Sequence, residues 1–243
     1  METKIFAHRG ASKYAPENTM PAFELAYEME ADGIETDVQL TKDGVPILIH
    51  DETLERTTNG VGFVKDYEFH ELQKLDAGAY FSSRYTGTRL ISLEEFLEWV
   101  TDKPLYLNLE LKNNKINYKG LEEKVLQLIR AYKVEHRTII SSFNSESVKK
   151  MRELDANLDV AYLRSKKHEA LTSYAKSLGA SSLHIKHTLL NQQVLYSSEV
   201  MNMPIRVYTV NRSANILQCL RKKCAGIITD VPDRAVKLRH RFE

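Results

Sequence analysis

The stretch RTIISSFNSESVKKMRELDANLDVAYLR, residues 137–164, holds two short apolar runs with a helical run between them. RTIISSF (137–143) is rich in β-branched residues, DVAYLR (159–164) is largely apolar, and both read as strands. Residues near 145–154 carry the helical spacing. A strand, a helix and a second strand within so few residues form a unit that favours parallel pairing. The same unit recurs in both directions along the chain. IFAH (5–8) is followed by a helix near 19–31, and GIETDVQL (33–40) by a hairpin. PLYLNLELK (104–112) precedes a helix near 119–132. SSLHIK (181–186), PIRVYTV (204–210) and AGIITD (225–230) precede helices near 191–200, 213–222 and 232–240, and DVAYLR itself precedes one near 168–178. Eight such units predict an α/β chain folded as a (β/α)8 TIM barrel. A doubly wound open sheet is the rival, but it has fewer strands and a glycine-rich first loop, and no G-x-G-x-x-G follows IFAH.

One segment, about 51–103, departs from this rhythm. It contains TTNGVG (57–62), FHELQKLDAG (69–78) and SLEEFLEWV (92–100). In the last of these Ser92 and Glu95 have the spacing of a capping box, so 92–100 is a candidate for the second barrel helix. The remainder reads as a small insertion on the barrel rim, where substrate-shaping elements sit. The expectation is a single domain over 1–243 with this insertion. That length suits one α/β barrel. The 34 basic and 33 acidic residues leave a formal charge of +1. So balanced a chain has no long-range field to draw in nucleic acid or an anionic membrane. Two cysteines, Cys219 and Cys224, provide neither a disulfide framework nor paired zinc spacing. The N-terminus lacks a signal-peptide pattern, and no apolar run reaches membrane-spanning length. A cytoplasmic protein without stable membrane insertion is expected.

The polar residues of the strands carry the chemistry. Side chains alternate along a strand, so Glu35 and Asp37 share one face of GIETDVQL while Ile34, Thr36 and Val38 take the other. In LYLNLELK the leucines form one face and Tyr106, Asn108, Glu110 and Lys112 the other. Packing the apolar faces on the helices leaves three acids inside the barrel mouth, where they require a compensating cation. Asp43-Gly44 lies between two apolar runs and signals a hairpin. A two-residue loop there sets Lys42 opposite Val45 and Asp37 opposite His50; a slip of one residue turns His50 away. The first strand ends in His8, Arg9 and Gly10. Three carboxylates suit one hard divalent cation, Mg²⁺ or Ca²⁺. Two histidines suit general acid and base. Arg9 and Lys112 suit a phosphate. Together these parts meet the needs of phosphodiester hydrolysis. Plainer readings exist: Glu110 and Lys112 as a buried ion pair, Gly10 as a turn residue, His184 and His187 as structural residues, and Asp230 as a group that orders the rim.

The motifs HRG (8–10), PENT (16–19), IETDVQLTKDGVPILIHD (34–51), LNLELK (107–112), SSF (141–143), YTVN (208–211) and GIITDVP (226–232) lie in order along nearly the whole chain. In these the chain resembles the glycerophosphodiester phosphodiesterase family. The resemblance implies a TIM barrel with a rim insertion. The implied enzyme is a phosphoric diester hydrolase of lipid and glycerol metabolism, cleaving glycerophosphodiesters to sn-glycerol 3-phosphate and an alcohol with a divalent cation. It makes His8 and His50 the acid/base pair, Glu35, Asp37 and Glu110 metal ligands, and Arg9 and Lys112 phosphate contacts. By the same resemblance Phe143 lies near the substrate, Glu17 and Asn18 support the first loop, and Tyr208 lines the pocket where the family often has Trp. The substrate is the one small-molecule partner implied, and oligomeric state is left open. Two rivals stand beside this reading. One is a lysophospholipase D-type enzyme on the same barrel, which an exposed rim of Phe63, Tyr80, Phe81 and Tyr85 would favour. The other is a non-catalytic barrel that binds glycerophosphodiesters, which would have lost acids or histidines.

Overall fold

In the computed structural model residues 2–242 are described, so the two end residues of the 1–243 reading lie outside that range. Each of the eight apolar runs forms a strand. They are β1 (Lys4–His8), β2 (Gly33–Leu40), β4 (Tyr106–Leu111), β5 (Thr138–Ser142), β6 (Asp159–Arg164), β7 (Ser182–Lys186), β8 (Ile205–Tyr208) and β9 (Gly226–Thr229), with β3 (Pro46–Leu48) added by the hairpin. All but β3 run parallel, in the order β1-β2-β4-β5-β6-β7-β8-β9, and β9 pairs back onto β1 with Ile5 opposite Ile227. The eight parallel strands therefore close on themselves as a (β/α)8 TIM barrel, which leaves none of them as an edge.

The helices are α1 (Met20–Glu28), α2 (Phe69–Leu72), α3 (Leu93–Val100), α4 (Leu121–Ala131), α5 (Ser145–Leu154), α6 (Leu171–Ser177), α7 (Gln192–Val200), α8 (Ser213–Arg221) and α9 (Pro232–Phe242). All except α2 stand between successive barrel strands or after the last. The capping box predicted at Ser92 forms: its Oγ accepts the Glu95 N–H at 3.1 Å, and Glu95 Oε2 accepts the Ser92 N–H at 2.8 Å. Outward-facing Ile34, Val38, Leu107 and Leu109 pack against Phe23, Phe96, Val125 and Ile129 of the helices, all fully buried. Burying each such side chain is worth roughly 1.5–3 kcal/mol. Among the described residues no helix is long and apolar enough to cross a membrane.

The lumen is filled rather than open. Phe6, Ile139, Ala161 and Ile228 pack there beneath Tyr208. Arg206 forks onto Asp159 at 2.9 Å and Ser182 at 3.0 Å, with its guanidinium over the Phe6 ring. His184 is wholly buried beside Arg206, which supports its reading as an interior residue. The segment between β3 and α3 lies over the rim with a small core of its own, built from Ile47, Ile49, Leu54, Val64, Leu72, Ala77 and Leu90.

The hairpin register differs from the expectation. Val38 pairs with Leu48 and Gln39 with Ile47, so Asp37 faces Ile49, whose N–H donates to the Asp37 carbonyl at 3.1 Å. The cause is local. Thr41 Oγ1 donates to Asp43 Oδ1 at 2.5 Å and accepts the Val45 N–H at 2.9 Å, closing a three-residue loop with Gly44 at φ +76°. A left-handed glycine at the end of such a loop is the usual alternative to the two-residue turn.

Candidate active site

His8 and Arg9 are presented by the abrupt end of β1. Arg9 and Gly10 take left-handed conformations, φ +57° and +81°, which no strand continues. At Gly10 this is more than a turn: a Cβ there would lie 2.6 Å from the Ala22 carbonyl carbon and oxygen, so glycine lets α1 pack against the loop. Asn18 is also left-handed, at φ +56°. Its amide donates to Asp37 Oδ2 at 2.9 Å, and its carbonyl oxygen accepts the Thr36 hydroxyl at 2.7 Å. The first loop is thus fastened to the end of β2.

The inward faces of β2 and β4 deliver the acids as the alternation requires. Glu35, Asp37 and Glu110 each offer an oxygen within 4.8 Å of the others. Glu35 and Asp37 are almost wholly buried. Burial pushes the Glu35 carboxyl up to about 8, and the charges of Asp37 and Glu110 add to it against the opposing pull of His8. Burial also works against ionised Asp37, but Arg9, Lys112 and His50 outweigh it and hold that carboxyl far below the ordinary range. Asp37 Oδ1 has no hydrogen-bond partner among the described residues. A buried, unpartnered hard oxygen among three convergent carboxylates fits a hard divalent cation. Arg9 Nε lies 3.1 Å from Asp37, and Lys112 Nζ lies 2.9 Å from Glu110 and 3.6 Å from Asp37. Both cations therefore border the acids directly.

The histidines are held alike. His8 Nδ1 meets Asp230 Oδ1 at 2.6 Å, and His50 Nδ1 meets Asp51 Oδ1 at 2.6 Å. Each pairing leaves Nε2 for other work; that of His8 lies 4.0 Å from Glu35. Asp230 is itself fixed by Ser12 at 3.2 Å and by the Asn211 amide at 2.5 Å. Burial works against protonated His8, but Glu35 and the Asp230 hydrogen bond prevail and raise its pKa. His50 reaches the site even though the register opposes Ile49 to Asp37, because the chain leaves the sheet after β3. Gln39 Nε2 then gathers the carbonyls of Ile49, His50 and Asp51 at 3.0, 3.0 and 2.8 Å, while Gln39 Oε1 accepts the Tyr118 hydroxyl at 2.7 Å. Neither Gln39 nor Tyr118 is singled out by the sequence motifs; a polar residue following Glu35 and Asp37 on the same face of β2 is the one trace.

Across the mouth, Phe143 follows β5 and meets the Tyr208 ring edge-on at 6.1 Å. Burial and the nearby Glu110 charge raise the Tyr208 pKa, keeping the phenol protonated. Glu17 accepts Arg9 Nη1 at 2.8 Å. Every site residue expected from the sequence thus lies at the C-terminal end of the barrel. Asp51 comes as an addition, and Asp230 acquires a partner more specific than the rim.

The sequence profile described as the glycerophosphoryl diester phosphodiesterase family matches residues 8–234. The chain belongs to this family. A glycerophosphodiester phosphodiesterase of Caldanaerobacter subterraneus subsp. tengcongensis is 40% identical over 238 residues, covering 98% of both chains. One from Bacillus altitudinis is 42% identical over 244 residues, covering 99% of this chain and 100% of the relative. Among solved structures, an Oleispira antarctica phosphodiesterase in complex with the product sn-glycerol-3-phosphate superposes with a TM-score of 0.87 at 27% identity, covering 98% of this chain and 96% of that one. Family membership accords with the closed barrel and with acids and histidines that are all present.

Proposed function

We propose that this protein hydrolyses glycerophosphodiesters, the deacylated headgroup portions of phospholipids, to sn-glycerol 3-phosphate and an alcohol. The observation that carries the reading is the acid cluster of Glu35, Asp37 and Glu110 set beside two histidines, each braced by a carboxylate. These acids would hold one divalent cation, Mg²⁺ or Ca²⁺. Such an ion polarises a phosphoryl oxygen and stabilises charge that builds up there. Arg9 and Lys112 stand on opposite flanks of Asp37, where a phosphate brought to the acids meets both. Displacement at phosphorus needs a proton taken from the attacking oxygen and another given to the departing alcohol. His8 and His50 would make these two transfers, with Nδ1 of each held by an aspartate. Phe143 and Tyr208 supply an apolar wall for the carbon skeleton. The site works within the cytoplasm on a small soluble substrate.

A second reading keeps the same barrel but takes lysophospholipids, because Phe63, Tyr80 and Phe81 are exposed by 46%, 41% and 36% on the rim. Tyr85 is drawn in, donating its hydroxyl to the Tyr14 carbonyl at 3.0 Å. The discriminating experiment measures alcohol release from a panel of glycerophosphodiesters and from the corresponding lysophospholipids. Turnover of the soluble diesters at least about tenfold above that of the lysolipids, a difference of roughly 1.4 kcal/mol in barrier, supports the first reading. The reverse order supports the second, and no release from either supports a binding barrel without catalysis.

A further inference from the structure

Arg56 belongs to none of the roles above. It comes from the rim segment, in irregular chain beyond β3, and reaches back to the mouth. All three of its guanidinium nitrogens are engaged. Nε donates to Asp51 Oδ2, Nη1 to Glu17 Oε2 at 2.8 Å and Nη2 to Glu17 Oε1 at 2.8 Å. Each carboxylate has a second duty. Asp51 holds His50 Nδ1 through its other oxygen at 2.6 Å. Glu17 accepts Arg9 Nη1 at 2.8 Å, and Arg9 Nε sits 3.1 Å from Asp37. An unbroken series of polar contacts therefore runs His50–Asp51–Arg56–Glu17–Arg9–Asp37, with Arg56 in its middle.

We propose that Arg56 is a positioning residue that fixes the His50 imidazole and the Arg9 guanidinium relative to each other, acting through Asp51 on the one and Glu17 on the other. The inference rests on the reading of His50 as a proton carrier and Arg9 as a phosphate contact. Three features separate it from an ordinary surface ion pair, which contributes little. The geometry is a bidentate fork plus a third bond, which a planar guanidinium makes and a lysine ammonium does not. The carboxylates are sheltered: Glu17 is 16% exposed and Asp51 30%. Burial disfavours charge on both, yet bonds from Arg56, with Arg9 on Glu17 and His50 on Asp51, keep them ionised, Asp51 down at about 2. Finally, no ladder fixes the His50 ring. Gln39 holds the backbone of 49–51, which leaves the imidazole to Asp51 and Asp51 to Arg56. The rim holds the same loop a second time where the Tyr80 hydroxyl accepts the Glu17 N–H at 3.3 Å.

The test is steady-state kinetics of Arg56→Gln, Arg56→Lys, Asp51→Asn and the double variant Arg56→Gln/Asp51→Asn on glycerophosphocholine, with melting temperatures alongside. Arg56→Gln should lower kcat about 10- to 100-fold, the loss expected of one orienting charge-assisted bond, and should raise KM as Arg9 loosens. Asp51→Asn should lower kcat with KM unchanged, because it severs the His50 arm alone. The double variant should lose no more kcat than the worse single one, as members of one series do not add. Arg56→Lys should recover kcat or KM but not both, since one ammonium cannot fork to two carboxylates. Should Arg56→Gln not fold, Arg56→Lys and Asp51→Asn carry the same comparison. The proposal is overturned by Arg56→Gln kinetics within about twofold of wild type, by additive losses in the double variant, or by full recovery of both constants in Arg56→Lys. His50→Ala is the control. If it turns over normally, the functional reading itself fails; if it is inactive while Arg56→Gln is normal, the role of Arg56 alone fails.

Discussion

Replacing Asp230 by asparagine keeps the shape of the side chain and removes its charge. The contact at stake is the 2.6 Å bond to His8 Nδ1. A hydrogen bond involving a charged group is worth roughly 1.5–3 kcal/mol, and each 1.4 kcal/mol is about tenfold in rate. His8 is 19% exposed and Asp230 29%, so solvent takes part of that value and places the expected loss at about 10- to 40-fold in kcat. Tautomer choice pushes the same way. Asn211 donates its amide to Asp230 Oδ2, so an asparagine at 230 would keep its oxygen toward Asn211 and turn its own NH₂ toward His8. Nδ1 would then have to accept, and the ring proton would move to Nε2, the wrong side for an unchanged proton transfer. The assay is coupled release of glycerol 3-phosphate with kcat and KM resolved, alongside thermal melting. KM should hardly move, because Arg9 and Lys112 do not touch Asp230, and the melting curve shows that the variant is folded at the assay temperature. A kcat within about twofold of wild type, or a rise in KM at unchanged kcat, would refute the orienting role.

Three further outcomes are expected. Gly10→Ala forces a Cβ to within 2.6 Å of the Ala22 backbone at φ +81° and should destabilise the fold by about 2–4 kcal/mol in urea unfolding; a loss below about 0.5 kcal/mol contradicts the packing argument. Phe96→Ala removes a fully buried ring 4.7 Å from Phe23 and should cost about 3–5 kcal/mol in the same assay, whereas a cost under about 1 kcal/mol means that the helix layer is packed otherwise. His184 is held neutral: burial, then Arg206, drives its pKa well below the ordinary 6.5, with Asp159 opposing. Its folded pKa lies below the unfolded one, so the unfolded chain binds the extra proton and stability falls as pH drops below about 6.5, by up to about 1.4 kcal/mol per pH unit from this residue. The neutral His184→Gln variant should show a shallower acid limb, and an identical limb excludes His184 as its source.

The barrel was legible because each βα unit declares itself locally: alternation along LNLEL, a short β-branched run in RTIISSF, and longer periods along the helical runs. The acid cluster was legible for the same reason, since alternation alone puts Glu35, Asp37 and Glu110 inward. The hairpin register was not. Asp43-Gly44 reads as a two-residue turn, and only the Thr41 hydroxyl, bonding Asp43 and Val45, makes it a three-residue one. His50 still arrives at the acids, for a reason outside strand pairing: Gln39 collects the chain beyond β3. The braces Asp51, Asp230 and Arg56 come from loops, where no periodicity says which way a side chain turns. Asp51 adjoins His50 and Asp230 ends the last strand, so position gives a hint for these two. Arg56 meets Glu17 across 39 positions of sequence with no pattern connecting them.

Hydrolysis is proposed to depend on one divalent cation held by Glu35, Asp37 and Glu110. The most direct measurement is turnover of a glycerophosphodiester by enzyme stripped with chelator and then titrated with Mg²⁺ or Ca²⁺. Loss of turnover on stripping, with recovery on titration in wild type but not in Glu110→Gln at matched ion concentration, is the predicted result. Full turnover by the stripped enzyme would contradict the claim.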